Sequence, residues 1–594
     1  NLYIGLTIML DKVIVATYYS LMYIDSKKKK GIEYFYLRQN KRVNGKVVPD
    51  FQKYIGNKEK LIEAINRGLN FENKVIDPDE TTCLHFGAVA TLFEIAKKIN
   101  LFNIIDSVVA KRNQDMPIST YLITPAINRV IRAKSKRAMS KWIRTTSLPD
   151  LIPNIETNKL TSQRFWDNMN VVTDAQIKTM EERITATVVK EYNLNLDVLL
   201  YDSTNYYSYI HSFNKRCKIE ERGKNKQHRL DLRQTNFALM VTEEFHIPLY
   251  HRLYDGNIND QTSFKETILD LKTKRDKLAK GKTITIVFDS GNVSKDNMKL
   301  VDKYNFKFIS KLKPTDHIDL LSIDLKKYET YSSKDKENEE KITCFYKTKK
   351  ILYGSRKNIV IKYSQEHYEA EFKTVSKHID EVKLGLKALK TRLDNYIKQG
   401  KLPSNVTKDT VKNNIKSILK GRTYLKKIIK TDVKLKDNKF PYLEWSATKE
   451  AIEEYCKIYL GKTIYFSNIS KLNGKQMIET YALQALIEKT FKISKDRKGG
   501  CWWPKYHWTD QKIKVHGFYC FISLLLLSLL EKEISTLGIR SDIHNVIEQL
   551  HEIQEVTDIY KNKKNKILTK KRYTSLNKLQ KKVFDYFQLS KHLA

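Results

Sequence analysis

Much that a chain of 594 residues often carries is missing from this one. Its six cysteines, Cys83, Cys217, Cys344, Cys456, Cys501 and Cys520, stand far apart, and no Cys-x-x-Cys occurs. That excludes a zinc ribbon and a disulfide framework and fits a reducing, cytoplasmic setting. Long apolar runs are absent too. The longest, residues 518–530, is about 13 residues, short of the ~20 a membrane span needs, and is expected to be a buried helix. No internal repeat is evident. Residues 1–24 are apolar but include Asp11 and Lys12, and no cleavage signature follows. A signal peptide is therefore not expected; Met22 is expected as the natural start, with residues 1–21 an upstream or non-native extension. Acidic charge is the largest deficit: 68 Asp+Glu against 108 Lys+Arg leave a net +40. Such a surplus favours a polyanionic partner, bound through phosphate contacts and counterion release. A lysine-rich, AT-rich genome produces the same surplus without any partner.

What is present supports several packed cores. Hydrophobic residues make up 41%, with 34 Tyr and 23 Phe, which excludes global disorder. Length predicts two to four domains. Residues 22–75 alternate apolar and polar around Asn44-Gly45, a hairpin signal, so a small β-containing N-terminal unit is expected. Residues 76–190 have a helical period and basic clusters at 129–141, where Ser135-Lys136-Arg137 and Trp142 fit either a DNA-contacting helix or a solvated face with a core Trp. Residues 191–312 read as strand, strand, strand, helix, strand, helix, strand: a mixed α/β sheet. The strands are expected at 196–201, 235–242, 246–254, 283–288 and 306–312. Residues 313–460 read as an insertion, strands first and then lysine-rich helix. Residues 461–535 resume the core with a strand at 463–466 and one long helix near 475–495. Residues 536–594 read as a basic, helical tail.

Asp202 and Asp289 each follow an apolar β run and are expected to end it. Catalytic groups often sit at the carboxyl ends of strands in such sheets, and paired carboxylates there suit divalent metal. Taken alone, an Asp after a strand is more often a turn or cap residue. Tyr481, Gln484, Glu488 and Lys495 fall within roughly a 60° sector of one helix face, with Leu483, Leu486 and Ile487 expected on the face that packs on the sheet. An ordinary amphipathic helix gives the same pattern. His228, His246 and His251 fit no closed zinc spacing. Trp502 and Trp503 suit either stacking on an unpaired base or core packing.

The chain resembles the insertion-sequence transposases of the IS-four superfamily, especially the branch named sixteen-thirty-four. Their third catalytic residue lies in the pattern Tyr, two residues, Arg, three residues, Glu, six residues, Lys, matched here by Tyr481, Gln484, Glu488 and Lys495. Leu200-Tyr201-Asp202-Ser203-Thr204-Asn205-Tyr206-Tyr207 resembles the first Asp block, and Val287-Phe288-Asp289-Ser290-Gly291 the second. Between them lie similar segments at 228–232, at 247–252 and at Gly256-Asn257 with Asp260. After the Glu helix come Pro504-Lys505-Tyr506-His507-Trp508 and His516. The matches run from about residue 120 to 530.

The resemblance implies a ribonuclease-H-like core with a large insertion before the Glu helix. It also implies a bacterial, nucleoid-associated DDE transposase that cuts and joins the ends of its own element. Asp202, Asp289 and Glu488 would be catalytic and hold Mg²⁺ or Mn²⁺. Tyr481, position 484 and Lys495 would contact DNA phosphates. The implied partners are double-stranded DNA (terminal inverted repeats and target) and a second copy, as a homodimer in the DNA complex. Gln484 departs from the Arg of the pattern, so Gln484→Arg is expected to strengthen end binding modestly. A site- or structure-specific nuclease on the same fold and a non-catalytic DNA-binding relic remain open readings.

Overall fold

The computed structural model describes residues 22–43, 46–71, 77–225, 229–278, 283–334, 340–496, 500–561 and 567–593. The proposed extension 1–21, the Asn44-Gly45 turn and His228 lie outside the described residues. The chain divides into two units, residues 1–82 with 557–570, and residues 83–556 with 571–594.

In the first unit, β1 (Met22–Lys29), β2 (Ile32–Val43) and β3 (Lys46–Gly56) form an antiparallel sheet in that order. Val43 pairs with Lys46, so β2 and β3 are joined as the alternation predicts. The helix Lys58–Phe71 follows. A further strand, β4 (Glu80–His85), leads out of this segment.

The second unit is built on a nine-stranded sheet. Its first five strands are β5 (Val198–Ser208), β6 (Arg233–Thr242), β7 (Pro248–Asp255), β8 (Thr285–Phe288) and β9 (Lys307–Lys311). β6 is antiparallel to β5 and to β7, whereas β8 is parallel to β5 and to β9. The spatial order is therefore β9-β8-β5-β6-β7. Every residue of β6 is buried, as expected for a central strand covered on both faces. Gly256, just past β7, is needed for close approach: a Cβ there would lie 1.9 Å from the Gln234 carbonyl oxygen.

The segment 313–460, expected as an insertion, does not stand apart from this sheet. Its strands β10 (Glu329–Lys334), β11 (Glu340–Leu352) and β12 (Ser355–Tyr363) extend it through β15 (Lys462–Ser467), which pairs with both β12 and β9. The rest of the insertion has its own hydrophobic core. The 35-residue helix Gln365–Gln399 buries Val375, Ile379, Val382, Leu386, Leu389 and Leu393, an i,i+3/i+4 stripe. That stripe packs with the helix Lys408–Ile418, the hairpin β13 (Lys430–Lys436) and β14 (Phe440–Ser446), and the helix Lys449–Tyr459.

Residues 87–191 are helical, as read. The apolar run 518–530 lies within the helix Asp510–Thr536, which is apolar on all sides and long enough by composition to cross a membrane, but is buried inside the fold. Two expectations need correction. The tail is not simply helical: it contains β16 (Gln554–Lys561) and β17 (Ile567–Tyr573) between the helices Ile543–His551 and Lys578–Tyr586. The expected helix 475–495 is two helices, Gly474–Ala482 and Gln484–Lys495, separated at Leu483.

Candidate functional site

Asp202 does not end its strand. β5 continues to Ser208, so Asp202 sits mid-strand, half-exposed, with the Ser203 amide donating to its Oδ1 at 2.8 Å. The extension occurs because antiparallel β6 runs alongside as far as Ser208, pairing with Arg233. Asp289 does end β8 and is exposed. The parallel register pairs Leu200 with Val287, so two residues on, Asp202 and Asp289 occupy matching positions. The next pair in the sheet aligns Phe288 with Ser310, which carries the row to Lys311 at the end of β9.

The helix Gln484–Lys495 packs over this region. Glu488 and Lys495 line a cleft of about 750 Å³ together with Asp202, Thr204, Lys492 and His544. The Lys495 ammonium donates to the Thr204 hydroxyl and lies over the Tyr206 ring at 5.5 Å. The Tyr481 phenol donates to Asp289 Oδ1 at 3.1 Å. Burial, then the Asp289 charge and that hydrogen bond, raise the Tyr481 pKa. Lys311 sits over the Tyr481 ring at 4.5 Å. Burial pushes its pKa down, while Asp289 and Glu488 pull against that shift. Asp289, Glu488, Tyr481 and Lys311 thus share one electrostatic neighbourhood.

Lys311 was not singled out from the sequence. The available signal was its place at the end of the strand next to Asp289. Asp260 also belongs at the margin: it accepts from Ser203 Oγ at 2.7 Å and Tyr254 OH at 2.9 Å.

Gln484 is placed differently from the helix-face reading. It is 5% exposed, and its Nε2 donates to the Tyr201 carbonyl at 2.8 Å, while its Oε1 is buried with no hydrogen-bond partner. Tyr481 is buried as well. The buried stripe of the second helix is Gln484, Ile487, Phe491 and Ser494, and Glu488 is exposed. Gln484 lies roughly 40° around the helix from Glu488, and the border of burial falls between them.

Carboxylate oxygens are suitable donors for a hard divalent cation, and the register puts two of them on neighbouring strands. Among the described residues, however, no three His, Cys, Asp or Glu side chains come together closely enough to hold a metal ion. Asp202, Asp289 and Glu488 share a neighbourhood without forming a ready three-ligand centre.

The other candidates are structural. His251 and Lys274 both bond the buried Glu181. Burial alone would raise the Glu181 pKa, but Lys274 and His251 beside it carry it down to about 2. Trp502 is fully buried and stacked on Tyr206 at 4.0 Å, so it has no open face for a base; Trp503 is half-buried beside Tyr207. Arg129, read within a basic cluster, is buried and donates to the carbonyls of Cys501, Trp503 and Pro504 at 2.6, 3.1 and 2.8 Å. His516 Nε2 lies 2.9 Å from the Trp502 carbonyl. These contacts fix the segment that follows the Glu helix.

No protein-family model matches the chain, and no curated protein matches it. Among solved structures, a piggyBac transposase synaptic complex with hairpin DNA aligns over 78% of each chain, at 9% identity and a TM-score of 0.33. A likeness that weak carries no argument about fold or function.

Proposed function

We propose that this chain is a DDE-type DNA transposase that cleaves and joins the ends of its own insertion sequence. The observation that carries the reading is the matched register of Asp202 and Asp289 on adjacent parallel strands, with Glu488 on a helix lining the cleft that Asp202 lines. In this reading β5 to β9 are a ribonuclease-H-like core, interrupted by an insertion before the Glu helix. The motif order in the sequence, resembling the sixteen-thirty-four branch of the IS-four superfamily, supports it.

Asp202, Asp289 and Glu488 would hold Mg²⁺ or Mn²⁺, which when bound stabilises charge on phosphoryl oxygens. Water would attack the phosphodiester at the element's end and release its 3′ hydroxyl. That hydroxyl would then attack a target phosphodiester, forming the new bond as the target's own 3′ oxygen leaves and takes a proton. The chain's own groups orient and attract. Tyr481 fixes the Asp289 carboxylate by hydrogen bonding, and the Ser203 amide fixes that of Asp202. Lys489, Lys492 and Lys495 line the cleft and draw a phosphate backbone in. Gln484 ties the helix to β5 instead of contacting DNA. Exposed lysines at 412, 416, 420, 426, 427 and 430 add sequence-independent attraction. The bound DNA would be the element's inverted repeats and then the target, gripped by a homodimer in a bacterial cytoplasm.

The test uses the full chain with DNA carrying the repeats that flank its gene, at fixed salt, with Mg²⁺ or Mn²⁺. Strand cleavage followed by joining is expected, with chelation abolishing both while DNA stays bound. Cleavage without joining would support a nuclease instead. Binding without cleavage under any divalent metal would leave a DNA-binding relic.

A further inference from the structure

A second cavity, about 410 Å³, lies in the helical part of the second unit, away from the carboxylates. Its walls include Arg129, Lys136, Arg137, Trp166, His507 and Tyr519. None of the described residues lining it is acidic. The Lys136 ammonium is buried and has no hydrogen-bond partner among the described residues; it lies over the Tyr519 ring at 3.9 Å and the Phe165 ring at 5.2 Å. A buried ammonium without an acceptor is costly, and a ring face satisfies only part of it. The local charges make the imbalance worse. Burial, and then the Arg129 charge, pushes the pKa of Lys136 well down, and burial with the surrounding cations does the same to His507. The Arg129 guanidinium is spent on three backbone carbonyls, and its Nε has no partner.

The missing element is an anion. The cavity is larger than a lone oxyanion needs and falls in the range of small-molecule sites, roughly 300–1,000 Å³. Trp166, half-buried and stacked with Trp508 at 5.3 Å, supplies an aromatic wall, and the largely exposed Tyr506 forms the rim. Aromatic walls beside cations take a flat ring and a phosphate together.

We propose that this cavity binds one nucleotide unit, its phosphate against Lys136 and Arg137 and its base against Trp166 and Tyr506. The unit is either a free mononucleotide or one nucleotide of a DNA strand. The inference does not rest on the carboxylate cleft and stands if that reading fails.

The test is calorimetric titration of the full chain with four probes: a deoxynucleoside 5′-monophosphate, the matching deoxynucleoside, inorganic phosphate, and a 5′-phosphorylated single-stranded trinucleotide. The monophosphate is expected to bind roughly tenfold or more tighter than the nucleoside or phosphate alone. A trinucleotide tighter than the monophosphate identifies a strand as the source; equal affinities identify the free nucleotide. Lys136→Met should weaken the monophosphate by roughly tenfold or more and, without ligand, melt no lower than the parent. Should Lys136→Met fail to fold, Tyr506→Ser takes its place, lowering nucleotide affinity but not phosphate affinity. Inorganic phosphate binding as tightly as the nucleotide, no binding of monophosphate or trinucleotide, or unchanged affinity in the foldable variant overturns the proposal.

Discussion

The cleft and the second cavity are opposite solutions to charge. On the cleft wall Glu488 is exposed and Asp202 half-exposed, with Lys495 beside them; Asp289 is exposed at the matching position on the next strand, and Lys311 feels both Asp289 and Glu488. In the cavity, the Lys136 ammonium is buried and, among the described residues, no carboxylate lines the wall. Carboxylates kept near water cost the fold little and stay ready for a cation. A buried ammonium destabilises the fold until something anionic meets it. The difference teaches that motif residues need not be the strained ones. The buried ammonium of Lys136, without a hydrogen-bond partner among the described residues, lies outside the matched pattern of Asp202, Asp289 and Glu488.

The largest expected effect falls on the cleft. Asp202→Asn, Asp289→Asn or Glu488→Gln should each lower strand cleavage on the order of 10³-fold or more, with melting temperature and DNA affinity nearly unchanged. Gel assays of cleavage alongside thermal melts check this. A variant that loses stability in proportion to activity would show a structural carboxylate and break the contrast.

Next is Gln484→Arg. The sequence pattern predicted modestly tighter DNA-end binding from this change. The buried amide, bonded to the Tyr201 carbonyl, reverses that expectation. Forcing a longer, charged side chain into that space should cost about 1–3 kcal/mol of stability and leave end binding no stronger. Denaturant unfolding and a DNA titration on the same preparations decide between the two readings.

For the cavity, Lys136→Met should stabilise the ligand-free chain by about 1–2 kcal/mol near neutral pH. The sign follows from the depressed ammonium pKa. A lysine whose folded pKa lies below its unfolded value of about 10.5 is penalised while protonated. The penalty is full below the folded pKa and fades as pH rises toward the unfolded one. The advantage of Met should therefore narrow on going alkaline and close near the unfolded pKa. Unfolding curves for both proteins from neutral to alkaline pH measure it; a gap that widens would mean Lys136 has a counter-anion in the fold.

The smallest effect is Tyr481→Phe. It removes one hydrogen bond to Asp289, worth about 0.5–1.5 kcal/mol, and should slow cleavage several-fold without abolishing it. Single-turnover rates check this, and an unchanged rate would show that Asp289 needs no fixing.

Much of the core was legible. Strands read at 235–242 and 283–288 appear as β6 and β8, because a continuous apolar run between turn signals has few other uses. The segment 313–460 was set off by its break in rhythm, but its strands' partner was not legible: β12 joins β15 across residues 364–461, a pairing no local pattern encodes. Lys311 was missed because a lysine ending a strand carries no local mark; only its register beside Asp289 sets it apart. The helix face at 481–495 was misjudged for a related reason. Periodicity gives the angle between Gln484 and Glu488, but not where the packing border falls.

The sequence by itself determined the order of strands and helices over residues 196–312, the basic surplus, and the residues Asp202, Asp289 and Glu488 as a set to look for. These depend on local periodicity and on residue chemistry, which need no partner to be read. Tertiary structure alone decided that Asp202 lies mid-strand, that Gln484 faces the sheet, that Arg129 holds a loop, and that Lys136 sits buried without an acceptor. Each of those depends on which surface is covered and by what. Burial is a property of the assembled core, set by strand register and helix packing over hundreds of residues, and no short stretch of chain carries it.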